Sequence, residues 1–243
     1  MNFINIIFLK KNKLIDILFY ISFAIVVIVA GFFDKKYLAF ALPLMIISIG
    51  ISYVKNIEKV NIWYIISLLS MIVCDILIYS DFVGNFSIIC LLTACYFLMC
   101  SLAFRKYVDF KAITKNTFWS IPLVVSAALI VYLIVSIFNL LVDMVKDAIL
   151  EVVICLFFST AHILLSYMIY KRDTYKEAYK LIVVSCLCIF IVSLLPINEM
   201  FYSNNIFTVL VNIAHVLSLY LFMQFLIKTH PEKDIKEKTK KYL

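Results

Sequence analysis

Residues 62–104 read IWYIISLLSMIVCDILIYS, then DFVGN, then FSIICLLTACYFLMCSLAF. Each flanking run is apolar over a length that rises close to 30 Å as a helix, enough to cross the hydrocarbon core of a bilayer. The link between them, Ser80-Asp81-Phe82-Val83-Gly84-Asn85, is a tight polar turn, so the two runs form an antiparallel pair. A single acid, Asp75, sits inside the first run.

The same pattern recurs along the chain. Eight apolar segments are predicted: 14–33, 37–54, 62–80, 86–104, 118–139, 147–170, 178–197 and 206–227. Hydrophobic residues make up 65% of 243 and charged residues 15%, with a mean hydropathy of +1.06. Ordinary globular domains hold about 45–50% apolar residues, and a soluble chain of this size could not hide the excess. The expected architecture is all-α, a single eight-helix transmembrane domain over 1–227 followed by a short charged tail, 228–243. Segment 37–54 is the shortest and holds Pro43 and Gly50, which membrane helices tolerate. The first segment follows lysines, as a signal peptide does, but its run of about 20 residues and lack of a small-residue cleavage site predict a retained span.

Lysine and arginine set the expected orientation. Of 22 basic residues, only Lys35, Lys36 and Lys146 fall in loops on one side; the other nineteen fall on the opposite side if all eight segments cross. That predicts both ends in the cytoplasm of a multi-pass protein of the cell membrane, and the Ile-, Lys-, Asn- and Phe-rich composition hints at a bacterial inner membrane. The net charge of +7 is thus accounted for by anionic headgroups rather than nucleic acid. Three glycines leave no phosphate-binding loop or dinucleotide fingerprint. The seven cysteines all lie in apolar segments, without zinc spacing or a loop pair to close a disulfide. No metal and no cofactor is expected.

Ionisable residues within spans point to function, because burying them costs several kcal/mol unless they are paired. Asp75 lies about 8 Å from the outer end of its helix, with no cation near it in sequence. Glu151 starts segment 6 on the same side, so Asp75 and Glu151 are the candidate acid–base pair. Asn198 and Glu199 end segment 7 beside Pro196. His215 lies mid-span in segment 8, and Asn212, Tyr220 and Gln224 fall within about a half-circle of it, a face expected to turn inward and bind substrate with Asn198. His162, flanked by Ser159 and Ser166 on its face, is expected to be a packing histidine.

The segment pattern resembles the YhhN-type lysoplasmalogenase family, eight-helix membrane enzymes that cleave the vinyl-ether bond of lysoplasmalogens. Cys74-Asp75-Ile76-Leu77 stands where that family carries Gly-Asp and leucines, keeping the acid. Ala94-Cys95 replaces a family Ala-His pair. Ile191-Val192-Ser193-Leu194-Leu195-Pro196-Ile197-Asn198 stands at Ser-Asp-Ser-Leu-Leu-Ala, with Val192 in place of the second acid. Tyr220, Gln224, Leu226 and Ile227 fit the end of the family's last helix. The resemblance implies a lysophospholipid substrate, with Asp75 as the retained acid and Glu151 standing in for the missing one.

Three readings stay open on the sequence. The first is a lysophospholipid-directed hydrolase. The second is a non-catalytic protein of the same fold that binds membrane lipid or a protein partner in a complex. The third is a small-solute transporter, which the intramembrane Asp75, His162 and His215 favour and the lack of a visible inverted repeat disfavours.

Overall fold

The computed structural model describes residues 3–108, 132, 135, 136, 139 and 146–229. Among them the chain forms seven α-helices: α1 (Phe3–Phe32), α2 (Leu38–Asn56), α3 (Ile62–Ser80), α4 (Phe86–Phe104), α5 (Ile149–Lys171), α6 (Tyr179–Met200) and α7 (Asn205–Lys228). Six of these, α2 to α7, are long and apolar enough to cross a membrane, and α1 adds the shorter apolar stretch Ile17–Phe32. The predicted segment 118–139 lies outside the described residues except for four helical positions, and the tail beyond Thr229 lies outside them entirely.

Local chemistry sets the helix boundaries. Asn61 caps α3 by accepting from the Trp63 N–H at 3.1 Å, and Asn204 caps α7 by accepting from the Ile206 N–H at 2.8 Å. These bonds satisfy amides that the first helical turn leaves without partners. The α3–α4 turn is fixed by Asp81, whose side chain accepts from the Gly84 N–H at 3.0 Å and whose carbonyl accepts from the Asn85 amide at 2.9 Å. A Cβ on Gly84 would lie 2.2 Å from an Asp81 carboxylate oxygen, so glycine is what lets the turn close this tightly. Pro43 and Pro196 lie within α2 and α6 without ending them.

Sequence neighbours pack side by side through α1, α2, α3 and α4, and again through α5, α6 and α7. The two runs join where α4 meets α5 and where α7 meets α1 and α2. α7 is the most deeply buried of the six apolar helices. Large apolar side chains point outward, with Phe40 74% and Phe157 66% exposed, while mid-helix serines such as Ser48, Ser67 and Ser166, with Asn198 and Asn212, point inward. This polarity suits a lipid surround, where the outside must be apolar and packing inside favours small and hydrogen-bonding residues.

The two ends of the bundle differ in charge. At one, Tyr107 after α4 packs on Tyr175 of the α5–α6 link and on Phe225 near the end of α7, and Asn61 reaches the Ala103 carbonyl. Lys55, Lys59, Arg105, Lys106, Lys171, Arg172, Lys176, Lys180 and Lys228 gather there. At the other end Lys35 pairs with Glu199, and the Asn205 side chain donates to the Gly31 carbonyl. Helices α4 and α5 run parallel: Glu151 and Cys155 in the first turns of α5 neighbour Cys90 early in α4, and His162 further on packs against Phe97 and Phe104.

Candidate functional site: a buried carboxylate–imidazole pair

Asp75 on α3 and His215 on α7 face each other across the bundle core. His215 Nε2 lies 3.1 Å from Asp75 Oδ2, and the residues are only 6% and 2% exposed. Either the imidazole N–H donates to a carboxylate or a carboxyl O–H donates to the ring nitrogen. In both forms the pair holds a proton between an acid and a base. Ser218, one turn beyond His215, turns its hydroxyl back to the His215 carbonyl at 2.8 Å.

A second rung lies one turn away on both helices. Tyr79 follows Asp75 by four residues and Asn212 precedes His215 by three, so the spacing that brings the first two together also brings these two together. The Tyr79 hydroxyl donates to Asn212 Oδ1 at 3.1 Å and accepts from Nδ2 at 2.8 Å, and Nδ2 also donates to the Thr208 carbonyl at 2.7 Å. Beyond it the Asn198 amide donates to the Thr208 hydroxyl at 3.1 Å and to Glu199 at 3.0 Å, while its oxygen accepts from the Asn204 N–H at 3.2 Å. Glu199 then pairs with Lys35 at the end of the bundle. A column of polar side chains therefore runs from the deep pair to the surface, every described step being a hydrogen bond or a one-turn neighbour.

The sequence-based site residues thus separate into groups. Asp75, His215, Asn212 and Asn198 belong to the column. Tyr220 and Gln224, expected on the same face, turn instead towards α1 and α2, where the Gln224 amide donates to the Tyr220 hydroxyl at 3.2 Å and the Phe19 ring lies 4.5 Å from that of Tyr220. Glu151 lies on α5 beside α4, and among the described residues no hydrogen bond or ion pair joins it to Asp75. The partner of Asp75 is the histidine of the last helix. Tyr79 and Thr208 escape notice in the sequence, although Tyr79 stands one helical turn from Asp75, where a second inward polar group would fall; Lys35 is read there only as a loop cation.

His162 packs in a box of Phe97, Phe104 and Phe222, with ring centroids 5.4, 5.1 and 6.2 Å away. Among the described residues neither ring nitrogen has a hydrogen-bond partner. It is a packing histidine, remote in role from the Asp75 pair. Among the described residues no cluster of three metal-ligating side chains occurs.

The fold and its buried polar column define a multi-pass helical membrane protein. Comparison of the chain with protein-family models, with characterised proteins and with solved structures finds no match.

Proposed function

We propose that the protein is a membrane-embedded hydrolase acting on the vinyl-ether bond of lysoplasmalogen-type lysophospholipids. The observation that carries this reading is the Asp75–His215 pair. Hydration of a vinyl ether requires a proton delivered to the β-carbon, water added to the oxocarbenium carbon that results, and collapse of the hemiacetal to aldehyde and alcohol. Asp75 and His215 together offer one proton donor and one acceptor at hydrogen-bond distance. His215 supplies what the chain lacks at Val192. The proposed topology has eight spans with both termini in the cytoplasm of a bacterial inner membrane. It is supported by the parallel course of α4 and α5, which leaves Val108 and Lys146 at opposite ends of the bundle, and by the crowding of basic residues at one end. A C-terminal fluorescent-protein fusion should fluoresce, and a C-terminal phosphatase fusion should be inactive.

The decisive assay is aldehyde release from purified lysoplasmalogen by the protein in detergent. Asp75→Asn and His215→Gln should each lower the rate by about 100-fold or more, the usual weight of positioned acid–base groups. No release from the unaltered protein across a wide pH range refutes the hydrolase and leaves the non-catalytic lipid- or partner-binding reading.

The polar column favours a second reading, a proton-coupled small-solute transporter, because chains of Asp, His and hydrogen-bonding groups also carry protons through membranes. Proton flux into liposomes that depends on Asp75, without aldehyde release, would select it.

A further inference from the structure

A groove of about 430 Å³ runs between α2 and α3 on the outer surface of the bundle. Gly50 opens it: with no side chain there, buried Ile46 and Leu68 form the floor. Ile47, Ile51 and Val54 of α2 make one wall and Leu69 of α3 the other, and all four are exposed. Lys55 is the one charged residue of the lining, and it lies at the lysine-rich end. Trp63, in the first turn of α3 and 41% exposed, marks the headgroup level there, where tryptophan collects. From Lys55 to Ile46 the groove follows α2 for about 14 Å, and from Ile65 to Ile72 it follows α3 for about 10 Å. That length is close to one leaflet, half of a hydrocarbon core about 30 Å thick. A partner helix crossing the membrane would need a seam along the full thickness, whereas this one stops near the middle. A methylene chain laid in it meets apolar atoms on both sides, contacts that a flat helix face does not offer. Asp75, one turn beyond Ile72 on α3, is 2% exposed and engaged with His215 in the core, so the groove is distinct from that pair. Glu58, in the link after α2, is exposed and lines no part of it.

We propose that this groove holds one acyl chain of an anionic phospholipid from the leaflet at the lysine-rich end, with the lipid phosphate at Lys55. The proposal stands independently of the hydrolase reading. The full-length protein is purified in detergent and equilibrated with equal amounts of phosphatidylglycerol and phosphatidylcholine, and the lipids it retains are counted by native mass spectrometry. One phosphatidylglycerol should be retained in about fivefold preference to phosphatidylcholine, the weight of one lysine at an anionic surface. Lys55→Gln, at an exposed position, should abolish that preference. Lys171→Gln, exposed at the same end but outside the groove, should keep it. Gly50→Leu should displace both lipids by filling the groove, whereas Gly50→Ala, whose Cβ meets Leu68 at an ordinary 3.6 Å, should retain them. The proposal fails if the unaltered protein retains no lipid, retains the two lipids equally, or carries a second copy of itself in place of lipid. It fails equally if Lys171→Gln loses the preference as Lys55→Gln does, or if Gly50→Leu unfolds at the unaltered midpoint and still retains as much lipid.

Discussion

The Asp75–His215 pair can be isolated by a double-mutant cycle. Asp75→Leu strands the His215 ring nitrogen at a position 6% exposed, and His215→Leu strands the Asp75 carboxyl at 2% exposed. Leaving a buried polar group without its partner costs about 1–3 kcal/mol. Interhelical hydrogen bonds in membrane proteins are worth about 0.6 kcal/mol on average and up to about 1.7. Hydrogen bonds to a charged group reach about 1.5–3. With both groups buried and 3.1 Å apart, each single substitution should cost about 2–3 kcal/mol. The double substitution should cost little more than one single, because it removes both polar groups and leaves two apolar side chains in their place. The coupling is then about 2 kcal/mol, measured as the free energy of reversible unfolding in mixed micelles for the four proteins. A control cycle between Asp75 and Cys186, an exposed residue of α6, should show none. Additivity of Asp75→Leu and His215→Leu within about 0.5 kcal/mol would refute the pairing.

Three further substitutions probe the rest of the column and core. Asn212→Leu removes both hydrogen bonds to Tyr79 and should cost about 1–2 kcal/mol of unfolding free energy; Tyr79→Phe combined with it should recover part of that loss. His162→Phe should raise the unfolding midpoint by the equivalent of about 1 kcal/mol, since both ring nitrogens lack partners among the described residues inside an aromatic box; a fall in the midpoint would show that those nitrogens are satisfied in the folded protein. Lys35→Glu should lower stability by about 1–2 kcal/mol in a salt-dependent manner, because the Glu199 side chain is 4% exposed and loses its cation; Lys35→Glu combined with Glu199→Lys should restore it.

Much of the frame is legible in the sequence, for a physical reason. Apolar runs of membrane-spanning length and the tight turn at Asp81–Asn85 are local properties, and the structure holds α2, α3, α4, α5 and α7 within two residues of the predicted segments. Asp75 and His215 stand out in isolation because an ionisable residue in such a run is rare. Their pairing is another matter. Asp75 and Glu151 share a membrane side and so look like partners along the sequence, but which helices touch depends on the order in which they pack, and α7 rather than α5 lies opposite Asp75. The division of the last helix has the same origin. Asn212, His215, Tyr220 and Gln224 share a broad half-circle, yet that arc meets α3 on one flank and α1 with α2 on the other.

By itself, then, the sequence determined a chain of apolar membrane-length helices, a charge asymmetry between their ends, and a short roster of buried polar residues, because hydrophobicity and charge act residue by residue. Only the tertiary structure decided that Asp75 meets His215, that Tyr79 and Asn212 form the next rung, and that Tyr220 and Gln224 turn away from them towards α1 and α2. Those pairings join residues more than 130 positions apart, and side chains so distant in sequence are brought together by helix packing rather than by local pattern.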